Sequence, residues 1–211
     1  MIVLKLAAVI ILGYLIGAIP FGVIAGKLAR GIDVRNYGSG SMGTTNVLRT
    51  AGKGAAISVL LADMVKGIAA VAVAWAIFAS SPSVLAWGLV AAGAAAVIGH
   101  NWPVYIGFRG GRGVTTTFGA FLLMCWPVAL ICLAIFIIVV AVTRYVSLGS
   151  LLGAIAMLLV MIPFVILGLE PYAYLIFGVI IVPLVVFRHR GNIKRLLSGT
   201  ESKIGQKTEI E

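Results

Sequence analysis

Charge is what this sequence has least of: its 16 Lys and Arg and six Asp and Glu amount to 10% of 211 residues, against about 25% in an ordinary soluble domain. A water-solvated surface of normal extent is therefore excluded. Two aspartates, Asp33 and Asp63, are too few for the carboxylate clusters with which membrane alcohol phosphotransferases hold a divalent metal. No metal site and no cofactor is expected. Only two cysteines are present, Cys125 and Cys132, both inside one apolar run, which excludes a disulfide framework and a zinc pattern. What fills the chain instead is apolar: 62% of residues are hydrophobic and the mean hydropathy is +1.16. This is the composition of an all-α integral membrane protein. No polar stretch is long enough for a separate soluble domain, so one domain over 1–211 is expected. A net charge of +10 in such a chain reports orientation and contact with the lipid bilayer rather than nucleic acid.

Apolar runs lie at about 2–26, 54–80, 84–104, 114–143, 146–168 and 171–187, a count of six. The first, from Ile2 to Gly26 with Lys5 as its one charge, is longer than a signal-peptide core and reads as a retained span. Six spans would split the basic residues almost evenly between the two sides, against the positive-inside bias. The run 114–143 would reach about 45 Å as one helix, beyond a hydrocarbon core of about 30 Å, and Pro127 interrupts it. Splitting it there gives seven transmembrane helices, the fourth short or incompletely spanning, with the N-terminus outside and the C-terminus cytoplasmic. Fourteen of the 16 basic residues, Lys207 of the tail included, then share one face, leaving Lys5 outside and Lys66 within a span. The loops 29–53 and 99–117, the turn "TRYVSLGS" and the tail 188–211 come to that same surface.

The polar chemistry sits in those segments. "GSGSMGTTNVLR" (38–49) carries Gly38, Gly40 and Gly43 in G-x-G-x-x-G spacing, but apolar spans flank it and no βαβ unit does, so a dinucleotide fold is excluded. Thr44 and Thr45 stand where a P-loop needs Lys and then Ser or Thr. What remains is shared physics: glycines let successive N–H groups face one anion, Ser39, Thr45 and Asn46 add donors, and Arg49 adds a bidentate phosphate partner. A tightly turned connector would use the same residues, and for this loop alone both readings stand. "GHNWPVYIGFRGGRGVTTT" (99–117) repeats the theme with Gly110, Gly111, Arg112 and Gly113 before a helix N-terminus, although an ordinary polar turn would look alike. His100 at a helix end is a base, a ligand or a hydrogen-bonded structural residue. In the tail, "RHRGNIKRLL" reads as a surface-lying amphipathic helix on which His189 and Asn192, three apart, share a face. Asp63 and Lys66 lie inside the second span, where an i,i+3 ion pair facing the bundle interior is expected.

Taken together, "GSGSMGTTNVLR" (38–49), "GHNWPVYIGFRGGRGV" (99–114) and "HRGNIKRLLSGTE" (189–201) resemble the three ordered motifs of the bacterial acyl-phosphate:glycerol-3-phosphate acyltransferase family. The resemblance extends over nearly the whole chain. It implies transfer of a fatty acyl group from acyl phosphate to the first hydroxyl of glycerol 3-phosphate, giving 1-acylglycerol 3-phosphate and phosphate without coenzyme A, at the start of phospholipid synthesis. It also implies a seven-span fold in the bacterial cytoplasmic membrane with its site on the cytoplasmic face. By the same resemblance Ser39, Arg49, His189 and Asn192 are catalytic. Gly38, Gly40, Gly43, Thr45 and Asn46, with Gly110, Gly111, Arg112 and Gly113, form phosphate loops, and Glu201 joins Asp63, Lys66 and His100 in support. The family usually carries Asn, Pro and Lys at the positions of Ser41, Met42 and Arg112, where Arg keeps the charge but exchanges a point ammonium for a planar fork.

Neither His100 nor His189 has an Asp five positions on, so the H-x-x-x-x-D dyad of other glycerol-phosphate acyltransferases is absent. Acyl phosphate is already activated, which points to direct attack by the glycerol 3-phosphate hydroxyl with a substrate phosphate oxygen taking the proton. The competing route makes Ser39 an acyl-enzyme nucleophile with His189 as base. A transporter for a phosphorylated metabolite would need midplane polar residues on several helices, and Asp63 with Lys66 is the one pair that qualifies.

Overall fold

A computed structural model describes residues 1–206; Lys207 of the basic tail lies outside the described residues. The chain forms ten α-helices among them: α1 (Ile2–Ala18), α2 (Phe21–Arg30), α3 (Thr44–Thr50), α4 (Lys53–Phe78), α5 (Pro82–Asn101), α6 (Val114–Met124), α7 (Trp126–Thr143), α8 (Val146–Ile166), α9 (Tyr172–Arg188) and α10 (Arg190–Leu197). Short 3-10 turns cover Val34–Asn36 and Val104–Ile106. Five segments are long and apolar enough to cross a membrane, and six if α9 and α10, which meet at a 60° bend, are taken as one.

Two breaks depart from the runs expected from the sequence. The first run is two helices, because Pro20 cannot donate to the ladder and the chain turns at Ile19 before α2 starts. The run 114–143 does divide, but at Cys125 (φ −149°, ψ 81°) rather than at Pro127. Pro127 falls in the first turn of α7, where a missing N–H leaves no bond unmade. Its partner α6 has 11 residues, too few to cross a core of about 30 Å.

Small residues set the packing. Gly13 and Gly17 of α1 lie on the backbone of Ala92 and Ala96 of α5, and Gly67 of α4 lies on the carbonyl of Thr116 in α6. Without a hydrophobic driving force in lipid, such close backbone approach supplies the dispersion contact that holds helices together. The main core fills the middle of the bundle with Phe78, Val71, Phe121, Met161 and Phe177, and Phe121 stacks on Phe177 with centroids 5.9 Å apart. A second cluster, with Val23, Val34, Met42, Val47 and Val59, pins the 31–51 segment onto α2 and α4.

The Asp63–Lys66 pair expected from the sequence is present at 2.7 Å, both side chains buried. Lys66 Nζ also donates to the carbonyl of Ile19 (3.1 Å), which accepts from the Phe21 N–H as well, at the break between α1 and α2.

A Gly67→Ala chain should lose roughly 1–3 kcal/mol of stability, because its methyl meets the Thr116 carbonyl and α4 must separate from α6. Thermal unfolding in detergent or lipid measures this, and a parent-like midpoint would contradict the close-packing account.

Candidate active site

The first loop is held by one side chain. Asn46 is buried at the start of α3; its Nδ2 donates to the carbonyls of Val34 (2.8 Å), Tyr37 (3.2 Å) and Ser41 (2.8 Å), and its Oδ1 accepts from the Ser39 N–H (2.9 Å). The amide is fully engaged in shaping the loop. Gly38 (φ 59°) and Gly40 (φ 68°) take the left-handed turn this requires, and Ser39 stands exposed at its rim. Arg35 pairs with Asp33 at 2.7 Å and donates from Nη1 to the carbonyls of Ile106 (2.8 Å) and Arg109 (3.3 Å), joining the first loop to the second.

The second loop lies over His100. The Gly111 N–H donates to the His100 carbonyl (3.0 Å), and a Cβ on Gly111 would overlap the imidazole. On the other side, Arg188 donates to the carbonyls of Gly110 and Gly111. Gly113 (φ 78°) then opens α6, whose first N–H groups are free of intrahelical partners. Arg112 is largely buried at this point. Burial lowers its pKa to about 10, against the pull of the Glu201 carboxylate and in the same sense as Arg195, Arg49 and Arg188. Among the described residues no carboxylate lies within ion-pair distance of it.

The third motif forms the joint between α9 and α10. His189 is 1% exposed, and its Nδ1 lies 2.8 Å from the Val185 carbonyl. A carbonyl can only accept, so Nδ1 carries the proton and Nε2 is left as an acceptor. Asn192 Nδ2 and Ser147 Oγ both donate to Glu201 Oε1 (2.6 and 2.7 Å), while Arg195 Nε donates to Oε2 (2.7 Å). Beyond it, Ser202 accepts from Arg49 Nη2 (3.2 Å) and the Ile204 N–H donates to the Arg144 carbonyl (2.8 Å). Residues 201–204 thus form a strap from α10 across α3 to the α7–α8 turn.

These segments enclose a cavity of about 290 Å³ whose wall includes Ser39, Gly43, Thr45, Asn46, Asp63, His100, Arg112, Gly113, Ser147 and His189. All three motifs therefore meet. Gly38, Gly40, Arg49, Gly110, Gly111, Lys66, Asn192 and Glu201 are not part of that wall. Ser39 and His189 face the same space, and no hydrogen bond joins them. His100 Nδ1 lies 3.5 Å from Asp63 Oδ1 without a hydrogen bond between them, and both residues line the cavity. A second, apolar cavity of about 310 Å³ runs between α4, α6, α7 and α8. Leu60, Val114, Thr115, Phe136 and Ser150 belong to the walls of both.

Sequence reasoning missed Arg35, Ser147 and Arg188 as parts of this assembly. Arg35 and Arg188 lie beside motifs and Ser147 at the start of α8, but each has a carbonyl or carboxylate partner distant in the chain, and residue type alone gives no sign of that.

An arginine-bearing pocket sharing a wall with an apolar groove, in a bundle of helices long and apolar enough to cross a membrane, is the architecture of an integral membrane protein with a buried polar site. A family model described as glycerol-3-phosphate acyltransferase matches residues 7–199. The chain is 45% identical over 206 residues to the glycerol-3-phosphate acyltransferase of Parasynechococcus marenigrum (strain WH8102), covering 98% of this chain and 93% of that protein. It is 45% identical to that of Thermoanaerobacter sp. (strain X514), covering 95% and 96%. Two solved forms of PlsY (YgiH), an integral membrane glycerol 3-phosphate acyltransferase, share the fold. The glycerol 3-phosphate form has a TM-score of 0.84 at 36% identity, covering 95% of this chain and 96% of that one. The lysophosphatidic acid form gives 0.82 at 35%, covering 95% of each. This chain belongs to the glycerol-3-phosphate acyltransferase family.

The Glu201 carboxylate sets a pH dependence. Burial alone would raise its pKa, but the hydrogen bonds from Asn192, Ser147 and Arg195 outweigh that and hold it below the usual Glu value. Its stabilising contribution is therefore complete above about pH 5 and fades as pH falls through the folded pKa. Glu201→Gln should lower the melting temperature at pH 7 and flatten the acid side of the stability profile. Superimposable profiles for the two proteins would remove Glu201 as the anchor of the strap.

Proposed function

We propose that this protein transfers a fatty acyl group from acyl phosphate to the first hydroxyl of glycerol 3-phosphate, releasing 1-acylglycerol 3-phosphate and inorganic phosphate. The observation that carries this reading is the common wall of the two cavities. A polar space bearing Arg112, Thr45 and the α6 N-terminus suits phosphate, and the apolar groove beginning at Thr115 and Ser150 suits an acyl chain. An acyl phosphate lying across that wall places its carbonyl carbon where a bound glycerol 3-phosphate can reach it.

The hydroxyl oxygen attacks the acyl carbon, and the bond from that carbon to the phosphate oxygen breaks. Phosphate leaves, and the hydroxyl proton passes to a phosphate oxygen of the substrates. Arg49, Arg112 and loop N–H groups hold the negative charge through the step, and Ser39 positions the donor. His189 offers Nε2 as a hydrogen-bond acceptor to a substrate hydroxyl. In this reading no metal, cofactor or coenzyme A takes part. The apolar groove and the basic loops support a single membrane-embedded domain over 1–211 in the bacterial cytoplasmic membrane. It would have seven helical spans, α6 being the short one, with N-terminus out, C-terminus in and the site on the cytoplasmic side.

The test is protein in lipid vesicles with acyl phosphate and glycerol 3-phosphate, following phosphate release and the lysolipid, with acyl-coenzyme A as parallel donor. Product from acyl phosphate alone, lost in Arg49→Ala, is expected; product from acyl-coenzyme A alone would reject the donor assignment. Mass spectrometry should find no acylated Ser39 during turnover, and trapping one would replace direct attack with the acyl-enzyme route. Gly153→Leu, which places a side chain into the groove, should raise KM for long-chain donors while leaving KM for glycerol 3-phosphate near the parent value.

A further inference from the structure

Arg188 is a buried-side cation that the chemistry above does not use. Its Nε and Nη2 donate to the Gly111 carbonyl at 3.0 and 2.7 Å, and Nη2 also reaches the Gly110 carbonyl at 3.2 Å. Its guanidinium lies over the Trp102 ring, 5.4 Å from the centroid, which fixes the plane of the fork. Trp102 is itself anchored, since its carbonyl accepts from Tyr14 Oη at 2.8 Å.

The geometry determines the two peptide planes of the loop. A trans peptide is planar, with its carbonyl and N–H on opposite edges. In the 110–111 peptide the carbonyl faces Arg188 and the N–H faces the His100 carbonyl at 3.0 Å. In the next peptide the Gly111 carbonyl again faces Arg188, so the Arg112 N–H must lie on the opposite edge. With both carbonyls turned toward one cation and the Gly111 N–H taken by the His100 carbonyl, the Arg112 N–H is the donor these two peptides leave on the other side. Glycine at 110 and 111 is flexible enough to flip either plane; a flipped 111–112 plane would aim the Gly111 carbonyl dipole where the Arg112 N–H now points.

We propose that Arg188 is a positioning residue: it holds the carbonyls of Gly110 and Gly111 away from the substrate phosphate, so that the Arg112 N–H and side chain meet it. This rests on the reading of 110–113 as a phosphate loop. Lysine at this position keeps the charge but cannot supply the fork.

Arg188→Lys and Arg188→Gln, each in lipid vesicles beside the parent, test this by three measurements: deuterium uptake of the peptide covering 109–114, affinity for glycerol 3-phosphate by calorimetry, and melting temperature. In Arg188→Lys the expected result is faster uptake confined to 109–114 and affinity weaker by about tenfold or more, with melting shifted by no more than about 3 °C. Unchanged uptake at 109–114 or parent-like affinity would overturn the proposal. So would a broad loss of protection and melting temperature in both variants, which would make Arg188 a helix staple. A parent that binds glycerol 3-phosphate yet makes nothing from acyl phosphate would reject the donor reading and leave the Arg188 comparison intact.

Discussion

The Lys66 ammonium, buried and shared between the Asp63 carboxylate and the Ile19 carbonyl, is the contact on which the site's framework depends. A charge in this position is costly in a bilayer unless paired, and here a carboxylate and a backbone carbonyl share it. Asp63 neutralises it from one turn away on α4. The Ile19 carbonyl, at the break between α1 and α2, accepts from it while also taking the Phe21 N–H. The same carboxylate lies 3.5 Å from the His100 ring at the end of α5, and the His100 carbonyl holds the Gly111 N–H of the glycine loop. Breaks in α1–α2, the interior of α4 and the phosphate loop are thus referred to one buried node. Removal of either charged partner would strand the other, a larger penalty than losing the pair together.

Above that node the site is made of backbone shaped by side chains, some of which, Asn46, His100 and Ser147, also line the cavity. Asn46 folds the first loop by engaging all of its amide, and Arg35 bridges that loop to the second. Arg188 and His100 grip the second loop from opposite sides. Glu201 gathers Ser147, Asn192 and Arg195, and through the strap the first motif is tied to the third. The division of labour has a physical reason. Backbone N–H groups are good anion donors only when their planes are fixed, and glycine, which permits close approach, fixes nothing by itself.

The membrane class and the ordered motifs were legible because they rest on local chemistry. Long apolar runs, the polar loops and the i,i+3 spacing of Asp63 and Lys66 can each be read from adjacent residues. The weak fourth helix was also legible, since no single helix of 30 residues fits the hydrocarbon core, although the break fell at Cys125. The interruption at Ile19 was not read, because Pro20 sits within an otherwise continuous apolar run whose length alone suggests one span. Asn46 shows the limit most clearly. Residue type marked it as a possible anion donor, but its four loop contacts come from chain positions 34, 37, 39 and 41 folding back on it. Arg188 was counted as orientation charge, and only the folded loop shows that carbonyls are its partners.

The apolar groove has one further implication. Leu60 and Leu61, which contribute to its wall, are 43% and 51% exposed on α4, a helix long and apolar enough to cross a membrane. On the proposed reading, a donor already dissolved in the bilayer enters by lateral diffusion, while glycerol 3-phosphate arrives from water. The two substrates then obey different concentration scales, one a mole fraction in a surface and the other a bulk molarity. Diluting the membrane with inert lipid at constant total donor would slow the enzyme, whereas enlarging the aqueous volume at constant glycerol 3-phosphate concentration would not.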